Sequence, residues 1–235
     1  MSDNEGPATE TLIAQALHFI DEASGAVVPA WQPSTTFARN EDASLYGDYS
    51  YSRSGSPTVQ HVEQMLAKLE GGADARIFSS GLAAVTCLME TLDTGAHVVA
   101  PQVMYHGAQD WLRRISEKRA IGLSFFDAGD IEKLRQAVQP GKTSVVWVET
   151  PVNPTWDIID IAAAAEIAHA AGAILAVDGT VASPVTTRAL EYGADIVFHS
   201  ATKYLNGHSD VVAGILVTGE LNQRWEEIKL VRTLM

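Results

Sequence analysis

The sequence predicts an α/β fold built on a mainly parallel sheet with helices on both faces. From Thr58 onward, short apolar runs alternate with longer stretches of helical periodicity, and strand–helix alternation implies parallel pairing with both sheet faces covered. The runs are continuously apolar, as in Val145-Val146-Trp147-Val148, which is how strands buried on both sides read. The composition is that of a globular protein, 46% hydrophobic and 19% charged over 235 residues. That is chain enough for one large domain with a sizeable core.

Residues 1–57 show weak periodicity and are interrupted by Pro29, Pro33 and Pro57. They read as an extended N-terminal arm, ahead of a large domain over 58–235. Val59 to Glu70 reads as an amphipathic helix, with Val62, Met65, Leu66 and Leu69 on one stripe; Gly71-Gly72 ends it. Strands are expected at Ala75–Phe78, His97–Ala100, Gly122–Phe126, Ser144–Glu149, Ile174–Val177, Asp195–His199 and Val212–Val217. Helices are expected at Leu82–Leu92, Gly107–Arg119, Ile131–Val138, Ile161–Ala171 and Leu221–Leu234. The chain stops at Met235 within or just after a helical stretch, with no capping residue or polar tail, and so reads as truncated.

The net charge of −13 disfavours a nucleic-acid partner, because an acidic surface repels phosphate backbones. The lone Cys87 can build neither a disulfide framework nor a cysteine-based zinc site, and its apolar surroundings suit a buried core residue. The N-terminus lacks the features of a secretory signal, and no apolar run approaches the ~20 residues of a membrane span. The expectation is a cytoplasmic protein without a membrane partner.

In such sheets ligands bind beyond the carboxyl ends of the strands, and three strand ends carry chemistry. Ser79-Ser80-Gly81 opens a helix, where backbone amides can face an anion. Asp178 ends a buried strand; it suits either a turn that bonds local amides or a carboxylate paired with a cationic ring nitrogen. Ser200-Ala201-Thr202-Lys203 sets two hydroxyls around a lysine. The lysine suits either a snorkelling surface residue or a crowded amine able to attack a carbonyl. Phosphate cradle, carboxylate and amine together are what pyridoxal phosphate requires. Tyr105, after the His97 strand, suits either a structural aromatic or a cover for the ring face of such a cofactor.

Six segments extend the argument: Tyr51–Thr58, Leu69–Gly71, Ser80–Leu82, Glu149-Thr-Pro-Val-Asn-Pro154, Asp178–Thr180 and the long run Gly193–Asp210. With them the chain resembles the Cys/Met-metabolism family of pyridoxal-phosphate enzymes, which includes cystathionine γ-synthase, cystathionine γ- and β-lyase and methionine γ-lyase. The resemblance runs in order from about Thr35 to the end.

It implies the large domain of a fold-type I transferase, with the small C-terminal domain missing and with it the arginine that grips the substrate carboxylate. It implies a small amino-acid substrate containing sulfur, and β- or γ-elimination or replacement. Lys203 would carry the cofactor as a Schiff base and shuttle protons, Asp178 would pair with the pyridinium nitrogen, and Tyr105 would stack on the ring. Ser80, Gly81, Leu82, Ser200 and Thr202 would bind the phosphate, and Asn153 would lie near the ring hydroxyl. Tyr51 and Arg53 would reach the phosphate of a neighbouring subunit, giving the arm a purpose and implying a homodimer or homotetramer. The alternative implied by the short length is an inactive fragment that keeps the fold.

Some positions depart from the family pattern. Gly179 and Ser56 stand where asparagine is usual. Asp110 replaces an arginine of many γ-specific members and, with Gln109, resembles the β-lyase branch, whereas Leu205–His208 resembles the synthase and γ-lyase branches.

Other motifs fail on context. Ser200-x-x-Lys203 follows a strand and lacks the companion elements of serine β-lactamases. Gly141-Lys142-Thr143 has Gln136 where a P-loop needs glycine. His199, His208 and Asp210 lack standard metal-ligand spacing, so no metal is expected.

Overall fold

The computed structural model describes residues 8–14 and 17–235. A short helix α1 (Thr9–Ala14) precedes a largely irregular, exposed segment with isolated bridges Thr36–Tyr51 and Arg39–Leu45. Helix α2 (Pro57–Glu70) starts at the proline that the sequence suggested as an interruption. Proline at the first helical position loses no bond, since that amide has no intrahelical partner. Ser56 caps it, its hydroxyl accepting from Val59 N, and serine and asparagine are near-equivalent caps. The departure at position 56 therefore costs the helix little. Gly71, with φ 70°, closes α2 in the left-handed conformation.

The rest alternates as β1 (Asp74–Phe78), α3 (Gly81–Glu90), β2 (His97–Pro101), α4 (His106–Arg119), β3 (Gly122–Phe126), α5 (Ile131–Ala137), β4 (Thr143–Glu149), α6 (Ile161–Ala170), β5 (Ile174–Asp178), α7 (Ser183–Thr186), a 3-10 turn (Ala189–Tyr192), β6 (Ile196–His199), β7 (Gly214–Thr218) and α8 (Gln223–Leu234). The sheet has seven strands in the order β1-β7-β6-β5-β4-β2-β3. Strands β3, β2, β4, β5 and β6 are mutually parallel, and β7 is antiparallel to both its neighbours, β6 and β1. The reversal at β7 follows from its connection: residues 200–213 contain turns but no helix, and a parallel return normally needs a helical crossover.

Side chains of a strand alternate between faces, and the core divides accordingly. Val146 and Val148 join Leu66, Leu134 and Ile167 beneath α2, α5 and α6. Val145 and Trp147 join Leu88, Leu112 and Trp225 beneath α3, α4 and α8. A run such as Val145–Val148 is apolar at every position because each face has its own helical layer. Among the described residues, no helix is long and apolar enough to cross a membrane.

Candidate active site

The carboxyl ends of β1, β6, β5, β4 and β2 meet in one connected set of contacts. At β1, Ser80 caps α3 by accepting from Ala83 N at 3.0 Å, which leaves its hydroxyl proton free to donate. Gly81 lies against β6's end so closely that an added Cβ would sit 3.0 Å from Ser200 Oγ and 3.3 Å from Phe198 Cζ. The turn after β1 and the end of β6 thus bring Gly81 and Ser200 together. Leu82, beside them, is partly buried against the second core.

Ser200 N donates to Thr180 Oγ1 at 2.8 Å, and Thr180 N donates to Asp178 Oδ1 at 2.9 Å. Asp178 is 6% exposed. Burial pushes its pKa upward against the opposing pull of the Thr180 bonds and the His199 imidazole. Across the β4–β5 pair, Asp178 is the register partner of Glu149, which is 4% exposed. Burial first, and the Asp178 charge second, push the Glu149 carboxyl up to about 7.

Glu149 leads on to the remaining candidates. Its Oε2 accepts from Tyr105 N at 2.9 Å and its Oε1 from Asn153 N at 2.8 Å. Tyr105 precedes α4, is 46% exposed, and folds its ring over Gly107, where an added Cβ would approach Tyr105 Cε1 to 2.8 Å. Asn153 is exposed. One unbroken series of contacts therefore joins Gly81, Ser200, Thr180, Asp178, Glu149, Tyr105 and Asn153.

Lys203 follows in the turn after β6, its N donating to Ser200 O at 3.0 Å. Its side chain is exposed rather than crowded, because the β6–β7 connection runs over the surface. Its amine makes no hydrogen bond or ion pair among the described residues. Thr202 Oγ1 accepts from Ala213 N at 3.0 Å and lies 3.1 Å from Ala213 O. To donate to a phosphate it would have to release that carbonyl.

Tyr51 and Arg53 stand apart from this series. Arg53 lies over the Tyr51 ring at 5.1 Å from its centroid and donates through Nε to Thr233 O at 2.8 Å. Arg232 of α8 donates to the carbonyls of Arg53 and Ile77 and pairs with Glu63. The arm's anion-binding candidate is thereby pinned to the body by the last helix.

The sequence reading gave Glu149 and the pair His199–Glu70 no catalytic part. The His199 Nε2 hydrogen-bonds Glu70 Oε1 with both residues buried, and His199 Nδ1 and Glu70 Oε2 have no partner among the described residues. The His199 ring fills the space beside Gly179: an added Cβ there would come within 2.9 Å of His199 Cε1. That close approach is a physical reason for glycine at the position where asparagine was expected. Asp110 is exposed on α4, and Gln109 donates to Gln102 O at 2.7 Å. No group of three or more metal-ligating side chains occurs among the described residues.

A profile of the Cys/Met metabolism PLP-dependent enzymes matches residues 10–234. Cystathionine γ-lyase of Dictyostelium discoideum is 39% identical over 208 residues, covering 88% of this chain and 54% of its own length. Cystathionine β-lyase of Coxiella burnetii is 39% identical over 230 residues, covering 97% of this chain and 59% of its own. The crystal structure of metB from Corynebacterium glutamicum superposes with a TM-score of 0.91 at 36% identity, over 98% of this chain and 59% of that one. The chain thus spans little more than half the length of the relatives it matches.

Proposed function

The chain belongs to the Cys/Met metabolism PLP-dependent enzyme family, and from that premise we propose that it binds pyridoxal 5'-phosphate at the carboxyl edge of its sheet and serves β- or γ-elimination or replacement on a sulfur-containing amino acid. The observation that carries this reading is the buried Asp178 at the carboxyl end of β5, with a second buried carboxylate, Glu149, as its register partner. Two desolvated carboxylates are costly without a cation, and a protonated ring nitrogen is such a cation. The other residues fit the same group. The α3 amides at Gly81 and Leu82, with the hydroxyls of Ser80, Ser200 and Thr202, suit its phosphate. Tyr105 suits its ring face and Asn153 its ring hydroxyl.

When bound, the cofactor supplies an electron sink for a substrate carbanion. The chain's own share is binding and proton handling. Lys203 is the covalent anchor and the base that moves the substrate's α-proton, its exposed amine being free of hydrogen bonds and ion pairs among the described residues. Asp178 keeps the ring nitrogen protonated. Tyr105 holds the ring's orientation, and the cradle fixes the phosphate. The arm, with Val28 and Trp31 exposed at 72% and 80%, docks on a neighbouring subunit and presents Tyr51 and Arg53 to its phosphate, so the working unit is a homodimer or homotetramer.

The test is hydride trapping of protein saturated with pyridoxal 5'-phosphate, followed by mass spectrometry. The expected adduct is on Lys203, absent from Lys203→Ala. A folded chain that stays colourless, or an adduct elsewhere, would replace this reading with that of an inactive scaffold. Product analysis with cystathionine then separates the chemistries: pyruvate and homocysteine mark β-cleavage, 2-oxobutyrate and cysteine mark γ-cleavage.

A further inference from the structure

Glu149 ends β4 in register with Asp178 at the end of β5. Its two oxygens accept backbone N–H groups from different loops: Tyr105 N, after β2, and Asn153 N, after β4. A neutral residue there would avoid a buried charge beside Asp178. Glutamine, of the same size, could not take its place, because its single acceptor oxygen serves one amide while its NH2 faces the other. Aspartate, one methylene shorter, could not span both. The double tie calls for a carboxylate of glutamate's length, and the structure keeps one there at the expense of burial.

We propose that Glu149 is a positioning residue that locks Tyr105 and Asn153 into a single unit around the cofactor ring. The inference rests on the reading of Tyr105 and Asn153 as cofactor neighbours. Through Glu149, the residue covering the ring and the residue beside its hydroxyl cannot shift independently, and both are referred to the strand next to Asp178. The groups facing Glu149 are the amides of Tyr105 and Asn153, the Asp178 carboxylate on β5 and, acting on Asp178, the His199 imidazole on β6.

The experiment titrates pyridoxal 5'-phosphate into the full chain, E149Q and E149D across neutral pH, and locates the trapped adduct in each. The expected result is an adduct on Lys203 throughout, with the dissociation constant raised about tenfold in both variants, the scale of one lost charge-assisted hydrogen bond. Part of the parent's pH dependence should follow Glu149, and E149Q should lose that part while keeping the part due to ionisation of the cofactor's own phosphate. A purely structural side chain would lower affinity without altering the shape of the pH profile. Parent-like affinity in E149Q, or an unchanged profile, overturns the proposal. If E149Q does not fold, E149D decides: it keeps the charge but not the reach, so parent-like affinity there also overturns it. A parent that forms no adduct at Lys203 instead sinks the cofactor reading, and this inference with it.

Discussion

Gly214→Ala should damage both stability and the phosphate cradle. Gly214 opens β7 opposite Phe78, and an added Cβ would sit 2.3 Å from Ser80 O and 2.7 Å from Gly81 Cα. Unstrained carbon contacts lie at about 3.5–4.0 Å, so the methyl is roughly 1 Å too close to two main-chain atoms. No rotamer change relieves this. Nor can β7 retreat easily, since β1 and β6 pair with it on either side. Overpacking a tight site costs about 1–3 kcal/mol, and the backbone partners put this case near the upper end. For a chain of this size each kcal/mol lowers the melting temperature by about 2–4 °C, giving a fall of roughly 6–12 °C. The clash also pushes Ser80 and Gly81 away from Ser200, so affinity for pyridoxal 5'-phosphate should fall with stability. Thermal denaturation and a cofactor titration read the two effects, with Gly47→Ala as control because nothing lies within 4 Å of the added methyl there. A Gly214→Ala protein that melts within about 2 °C of the parent and binds cofactor equally well would refute the reasoning.

Asp178→Asn should stabilise the cofactor-free protein at alkaline pH. The Glu149 carboxyl is raised to about 7 and Asp178 is raised as well, so between the ordinary carboxylate range and neutrality the folded state holds more protons than the unfolded chain. Stability from this pair is therefore greatest at low pH and is lost as pH rises. Removing one charge should recover about 1 kcal/mol near pH 8 and nothing near pH 4, as urea unfolding would show; a gain that grew toward acid pH would contradict the sign. The same substitution should weaken cofactor binding and slow carbanion formation, since Asn cannot hold a ring proton by charge. Cys87, fully buried with its thiol pushed up to about 12, should resist maleimide in the native protein and react once unfolded. Native labelling at the unfolded rate would count against its place in the core.

Much of the fold was legible because the two-faced sheet writes itself as unbroken apolar runs. β3 falls on the expected Gly122–Phe126, and the ends of the other strands moved by no more than two residues. Short α7 and the 3-10 turn left no readable period, being about one turn each. Pro57 was misread because a helix-starting proline and a chain-breaking one look alike until the cap at Ser56 is considered. The antiparallel β7 could have been foreseen from the lack of a helix between His199 and Gly214. At the site, Asp178 stood out as a charge ending an apolar strand. Glu149 ends Val145–Val148 in the same way and could have been found by that signal. Lys203's exposure, Gly214's contact with Ser80 and the closeness of His199 to Gly179 arise between elements distant in the chain, and no local pattern encodes them.

Strand β7 has a further consequence, for the order of assembly during synthesis. β1 emerges early yet has a single hydrogen-bonded neighbour, and that neighbour spans residues 214–218. Until the ribosome has released them, one margin of the sheet stays open and the apolar underside of α2 lacks part of its floor. Such long-range closure is slow and leaves strand edges available for mispairing. The segment that packs against Ser80 and Gly81 is thus also the one whose late arrival sets how long the nascent chain depends on protection from its neighbours.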